Sequence, residues 1–219
     1  MTKRQRRTNP ARREESQERI LDAAESLFAR GGFNGVSLKD IARDAEVDTS
    51  LLHYYYASKA GLFSAVLMRR APAVNLARTA SMKRYGQQAG EAISVEGVVR
   101  AYLQPTFEFI RTGGQSLRDY LTIIAQLNST PAGQIAGADV SPFDPVVQDF
   151  IGLLRKAAPR RSDADLYWFY HMLSGAISLS WARTGRIDKL SNGRCLSDDF
   201  DTIAEQMIAV FAHGLDETR

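Results

Sequence analysis

Apolar residues recur along this chain at three- and four-residue spacing and almost nowhere in strict alternation. That period predicts an all-α protein, with about nine helices near 16–31, 37–44, 48–54, 58–82, 93–112, 115–128, 144–157, 162–184 and 198–214. Ser16, Ser37, Ser58, Ser162 and Ser197 each precede a run, where a hydroxyl can accept from an orphan helix N–H. Ser37/Asp40 and Ser162/Asp165 have capping-box spacing, with Asp for the usual Glu. Glycine and proline are expected between the runs rather than inside them: Gly31-Gly32 ends the first helix, Gly113-Gly114 separates two more, and Pro159 closes the seventh. The Gly/Pro/Ala/Ser-rich stretch 129–142 is the candidate mobile loop.

The first three runs form a unit. Ile20, Leu21, Ala24, Leu27 and Phe28 share one face of the first helix, and Val36, Leu38, Ile41 and Ala42 supply a second short one. A turn at Ala45-Glu46-Val47 leads into a third short helix from Asp48. Two short helices joined by a tight turn and braced by a preceding helix form the helix-turn-helix layout. In the third helix Leu52 and Tyr56 face inward, which turns Thr49, Ser50, His53 and Tyr54 outward. Hydroxyls and ring faces make a poor core but can read base edges, sugars and phosphates. Lys59 opens the next helix, where an ammonium and free backbone N–H groups can hold one phosphate.

Composition refines this picture. The 219 residues are 44% apolar, enough for a sizeable core, and fit a small module on a larger body: residues 1–65 and 66–219. The net charge of +3 is uneven, since residues 1–70 hold 13 Lys/Arg against 9 Asp/Glu. Lys3, Arg4, Arg6, Arg7, Arg12 and Arg13 are unopposed by any acid before Glu14 and make a candidate basic arm for phosphates or a minor groove. The lone Cys195 fits a reducing cytoplasm. No apolar run reaches the roughly 20 residues of a membrane span, and the basic start lacks an apolar signal segment, so a cytoplasmic protein, nucleoid-associated when on DNA, is expected. His53, His171 and His213 lack metal-ligand spacing, and no phosphate loop, nucleophile elbow or carboxylate pair stands out. No catalytic residue, metal or cofactor is expected.

Segment 19–63, RILDAAESLFARGGFNGVSLKDIARDAEVDTSLLHYYYASKAGLF, resembles the DNA-binding domain of the tetracycline-repressor (TetR) family. The resemblance rests on ILDAA, LFARGGF, Ser37 with Ile41-Ala42, and the aromatic cluster followed by Ser58-Lys59 and Gly61-Leu62-Phe63. It implies that Ser37 and Lys39 touch phosphate or base, that Thr49, Ser50, His53 and Tyr54 read the major groove, that Tyr55 contacts backbone and that Lys59 clamps a phosphate. The chain departs from the family pattern in two places. Glu46 stands where glycine is usual, implying a positive φ, and Leu51 with the order His53-Tyr54 replaces a small polar residue and Tyr-His.

A two-fold operator calls for a homodimer. The last two long helices are the candidate interface, through Phe169, Leu173, Ile177 and Trp181 with Ile203, Met207, Val210 and Phe211; the family builds a four-helix interface from the corresponding pair. The other helices are expected to enclose an apolar pocket lined by Tyr102, Phe107, Arg118, Leu121 and Ile124, with Trp168, His171, Met172 and Gly175 from one face of helix 162–184. Gln126 and Asn128 are further polar candidates. The C-terminal part resembles a subgroup that includes fatty-acid-responsive members, which makes an acyl-type ligand one candidate. The expectation is a repressor released from a palindromic operator on double-stranded DNA by a small apolar effector; an activator and a ligand-independent architectural DNA binder are the alternatives.

Overall fold

The computed structural model describes residues 9–131 and 143–215, and within them the chain is helical. In order the helices are α1 (Asn9–Gly35), α2 (Leu38–Asp44), α3 (Thr49–Tyr56), α4 (Lys59–Ala89), α5 (Val95–Thr112), α6 (Gly114–Ser129), α7 (Asp144–Ala157), α8 (Asp163–Trp181), α9 (Arg186–Leu190) and α10 (Phe200–Ala212). Most of the candidate loop 129–142, and the arm residues Lys3, Arg4, Arg6 and Arg7, lie outside the described residues.

Three of the expected serine caps hold, at Ser37, Ser58 and Ser162, and both capping boxes close. The other two do not. Ser16 sits inside α1, its hydroxyl donating to the Arg12 carbonyl at 2.9 Å. Ser197 gives its N–H to Asp188, while Asp199 caps α10. Asp48 and Ser94 cap α3 and α5. Helix α1 starts at Asn9, so Arg12 and Arg13 belong to a helix rather than to an extended arm. Helix α4 runs on to Ala89, because its last turns pack against α7 as well as α5. Pro72 and Pro105 lie inside α4 and α5, against the expectation that prolines separate helices. Each removes one backbone hydrogen bond, a loss that long helices gripped by tertiary packing tolerate.

Helix α4 is the spine. It touches α1 and α3 at its start, then α5 and α7; α5 lies between α4 and α10, and α6 bridges α1 to α8. Under the head, Phe63 meets Phe28 and Phe33 edge-on at 5.2 and 5.3 Å. In the body, Tyr102 and Phe150 pack at 4.5 Å beside buried Leu103, Leu154 and Leu166. Each such side chain contributes roughly 1.5–3 kcal/mol through burial. Because α1 packs on α4 and α6, the head is bolted to the body without a linker.

Candidate nucleic-acid interface

The turn between α2 and α3 has the hydrogen bonding of a Schellman cap: Val47 N–H donates to the Ala42 carbonyl at 3.0 Å and Glu46 N–H to that of Arg43 at 3.2 Å. This motif needs a left-handed residue, and Glu46 supplies it with φ 52°, at about 1 kcal/mol more than glycine. Asp48 then accepts from Ser50 N–H at 2.8 Å, and the Ser50 hydroxyl together with that N–H holds its carboxyl below the usual range. A γ-turn, Ser58 N–H to the Tyr56 carbonyl at 2.6 Å around Ala57 (φ 60°), joins α3 to α4. At Gly61 any Cβ would lie 2.2 Å from the Tyr56 carbonyl oxygen, so only glycine permits the close junction.

Held at both ends, α3 buries Leu52 and half-buries Tyr56. Ser50, His53 and Tyr54 are exposed, Tyr54 to 73%, and Thr49 and Tyr55 are partly so. The Tyr54, Tyr55 and Tyr56 rings stack edge-on in sequence, with Arg13 of α1 over Tyr55 at 5.5 Å. That arginine joins the constellation through α1, a contact that linear spacing does not reveal. Ser37 and Lys39 are exposed on the same head. The Ser37 hydroxyl, however, is engaged in its cap, donating to Asp40 at 2.6 Å and accepting from Asp40 N–H.

Lys59 does not point freely outward. Its ammonium donates to the carbonyls of Phe33 and Val36 at 2.9 and 3.0 Å and sits 4.5 Å from the centre of the Phe33 ring. It closes the α1–α2 link, where Gly32 (φ 68°) breaks the helix, and retains at most one N–H for a phosphate.

Behind the head a polar knot joins three helices. Glu25 of α1, 2% exposed, accepts from Arg70 of α4 at 3.2 Å and from the Ser116 hydroxyl of α6; Arg70 also donates to that hydroxyl at 2.5 Å. Arg69 pairs with Glu18 and Asp22 of α1 at 2.5 and 2.6 Å, and Gln126 of α6 donates to the Ala29 carbonyl at 2.9 Å.

The body holds a cavity of about 440 Å³ between α4, α5, α6, α7 and α8. Tyr102, Leu121 and Ile124 line it as expected, as do Asn128, Arg78, Tyr120, Tyr170 and Trp181. Phe107 instead packs on Phe200 in the α5–α10 core, and half-buried Arg118 lies outside the lining. Burial pushes the hydroxyl pKa of Tyr120 and of Tyr170 up, so both stay protonated.

The two faces expected of α8 are exchanged. Phe169, Leu173, Ile177 and Trp181 point inward and are at most 4% exposed, so they are core in the protomer, not a free interface. Trp168, Met172 and Leu179, exposed to 63%, 59% and 69%, form an outward stripe with exposed Gly175 at four- and three-residue steps. His171 is exposed beside Trp168 at 5.7 Å, so Trp168, His171, Met172 and Gly175 do not line the cavity. On α10, Val210 is 68% exposed, Ile203 and Phe211 are half-buried and Met207 is buried. These four line, with Leu179, Leu190 and Leu196, an apolar groove of about 680 Å³.

Comparison with known proteins adds the following. The family description "Bacterial regulatory proteins, tetR family" matches residues 20–66, and "Tetracyclin repressor-like, C-terminal domain" matches residues 100–214. The chain is 30% identical over 141 residues to the HTH-type transcriptional regulator RutR of Escherichia coli K12, covering 58% of this chain and 65% of that one. It is 36% identical over 47 residues to the probable HTH-type transcriptional regulator YttP of Bacillus subtilis, covering 22% and 23%. The aligned part thus spans less than two thirds of either relative's length. Among solved structures, a TetR-like regulator from Rhodococcus sp. RHA1 superposes with TM-score 0.62 at 22% identity over 96% of this chain and all of that one. NalD of Pseudomonas aeruginosa gives 0.61 at 22% over 94% and 100%.

Proposed function

The chain belongs to the TetR family of DNA-binding transcriptional regulators, and from that premise we propose that it is a homodimeric repressor released from a palindromic operator by a small apolar effector. In this reading the division near residue 65 separates the operator-reading head from the sensing and dimerising body, and the protein works in the cytoplasm, on the nucleoid when bound. The carrying observation is α3, pinned by its flanking turns and by Leu52 while Ser50, His53 and Tyr54 are left to solvent. Thr49 and those three residues read the major groove, Tyr55 under Arg13 meets the backbone, and Lys39 and the spare N–H of Lys59 meet phosphates, while Ser37, both of whose donors go to Asp40, holds the cap.

The partner for the outward stripe of α8 is a second copy. Trp168, Met172, Gly175 and Leu179 at four- and three-residue spacing, with Val210 alongside, suit an isologous four-helix seam. Filling the cavity moves α6, which the Glu25–Arg70–Ser116 knot ties to α1 and α4, and so alters the spacing of the two heads. By linkage a hundredfold loss of operator affinity needs about 2.7 kcal/mol of coupling. No helix among the described residues is long and apolar enough to cross a membrane.

Selection of bound duplexes from a random pool tests this. An inverted repeat, lost in Tyr54→Ala and in Leu179→Glu, is expected; a single unrepeated site, or binding without sequence preference, refutes it.

A further inference from the structure

We propose that the cavity takes an organic monocarboxylate, its carboxylate held by Arg78 and its apolar body lying against Leu121, Ile124 and Ile177. This rests on reading the cavity as the effector site and adds the ligand's chemical class.

Arg78 is 6% exposed on α4 and lines the cavity. Its Nε donates to Thr106 Oγ1 at 2.8 Å, its Nη1 lies at the limit of hydrogen-bond distance, 3.5 Å, from the Tyr102 hydroxyl, and neither contact carries negative charge. Its guanidinium sits 4.5 Å from the Tyr102 ring centre and 5.8 Å from that of Trp181. Among the described residues no carboxylate pairs with it. Arg69 and Arg70, on the same helix with side chains 21% and 28% exposed, each carry at least one carboxylate.

A guanidinium cannot shed its proton to escape burial, as a buried lysine can. Its charge is therefore standing, and a planar carboxylate is the partner that satisfies two adjacent N–H groups at once. The Tyr102 hydroxyl lies beside the arginine at this end of the cavity. The α6 wall is apolar through Leu121, Ile124 and Leu127, and about 440 Å³ is within the range of small-molecule sites. Among the described residues the one acid in the lining, Asp144, is exposed at the start of α7. The standing charge of Arg78 is balanced by one carboxylate, which suits a ligand with one negative charge.

Titration calorimetry of the full chain with octanoate and 4-phenylbutyrate, each against its neutral primary amide, tests the class. At least one acid is expected to bind about tenfold or more tighter than its amide, the ratio a charge-assisted pair supports. Arg78→Met should remove the difference while the protein stays folded, because an apolar side chain replaces a buried charge. Ile124→Trp, which fills the apolar part, should weaken acid and amide alike. Amides that match both acids, silence from both acids, or an acid affinity unchanged in Arg78→Met overturns the proposal. Operator binding separates the two readings. An Arg78-dependent acid that leaves DNA affinity unchanged supports the ligand class and refutes the sensor, whereas release by the amides as readily as by the acids refutes the class alone.

Discussion

Glu25→Ala probes the joint between head and body. Glu25 is 2% exposed and is the shared acceptor for Arg70 and Ser116, with Arg69 3.9 Å away. Removing it strands a guanidinium and a hydroxyl, and breaking a fully buried ion pair costs about 3–5 kcal/mol. The Arg70 side chain is 28% exposed and can turn toward water, so a loss of about 2–3 kcal/mol is expected. Urea unfolding followed by circular dichroism measures it. The charge argument makes a second, opposite demand. Glu25→Leu combined with Arg70→Met replaces the pair by apolar groups and should lie within about 1 kcal/mol of the parent, far above the sum of the single losses. The knot's proposed role adds a third readout: the double variant should still bind operator, while its affinity responds less to a cavity ligand. A Glu25→Ala protein within about 0.5 kcal/mol of the parent, or a double variant as unstable as the singles combined, would refute the reasoning.

Glu46→Gly should raise stability by about 0.5–1 kcal/mol, seen as a higher Tm, because the left-handed position in the α2–α3 turn then needs no strained Cβ. Lys59→Met should destabilise by about 1–3 kcal/mol through loss of two charge-assisted bonds to Phe33 and Val36; if its remaining N–H also meets a phosphate, the salt dependence of operator binding becomes shallower by about one unit, and an unchanged slope assigns Lys59 to the fold alone. Met172→Lys should give monomers in sedimentation that keep the parent's helical circular dichroism, since that side chain is 59% exposed in the protomer, and the parent's Tm but not the variant's should rise with protein concentration. The Ser162 bonds hold the Asp165 carboxyl below its usual pKa, so the stability it adds is present at neutral pH, above the unfolded value. That stability fades as pH falls through the lowered folded value. Ser162→Ala should therefore narrow its deficit against the parent in acid unfolding.

The head was largely legible because its signals are local. Caps, the turn and the Leu52–Tyr56 face each lie within a few residues, and the positive φ at Glu46 was implied by the family pattern, which has glycine there. What was missed there comes from chain separation: Arg13 reaches Tyr55 across 42 positions, and Lys59 reaches Phe33 across 26. Helical period locates apolar faces; it does not say which lone polar residue a fold encloses. Glu25, Arg78 and Ser116 therefore carry no mark in the sequence of the partners the fold gives them.

Helix α8 shows why the body was harder. Its apolar residues surround the axis, with Leu166, Phe169, Leu173 and Ile177 on one side and Trp168, Met172 and Leu179 on another, so the pattern admits two inward faces about one residue apart. What decides between them is shape. The inward face packs on α6 and α7, with Phe169 edge-on to Phe211 of α10, and only that rotation brings Trp181 over Arg78. The same rotation sends Trp168 and Met172 outward. The assignment of the cavity and that of the dimer face are thus one choice, and exchanging either requires exchanging the other.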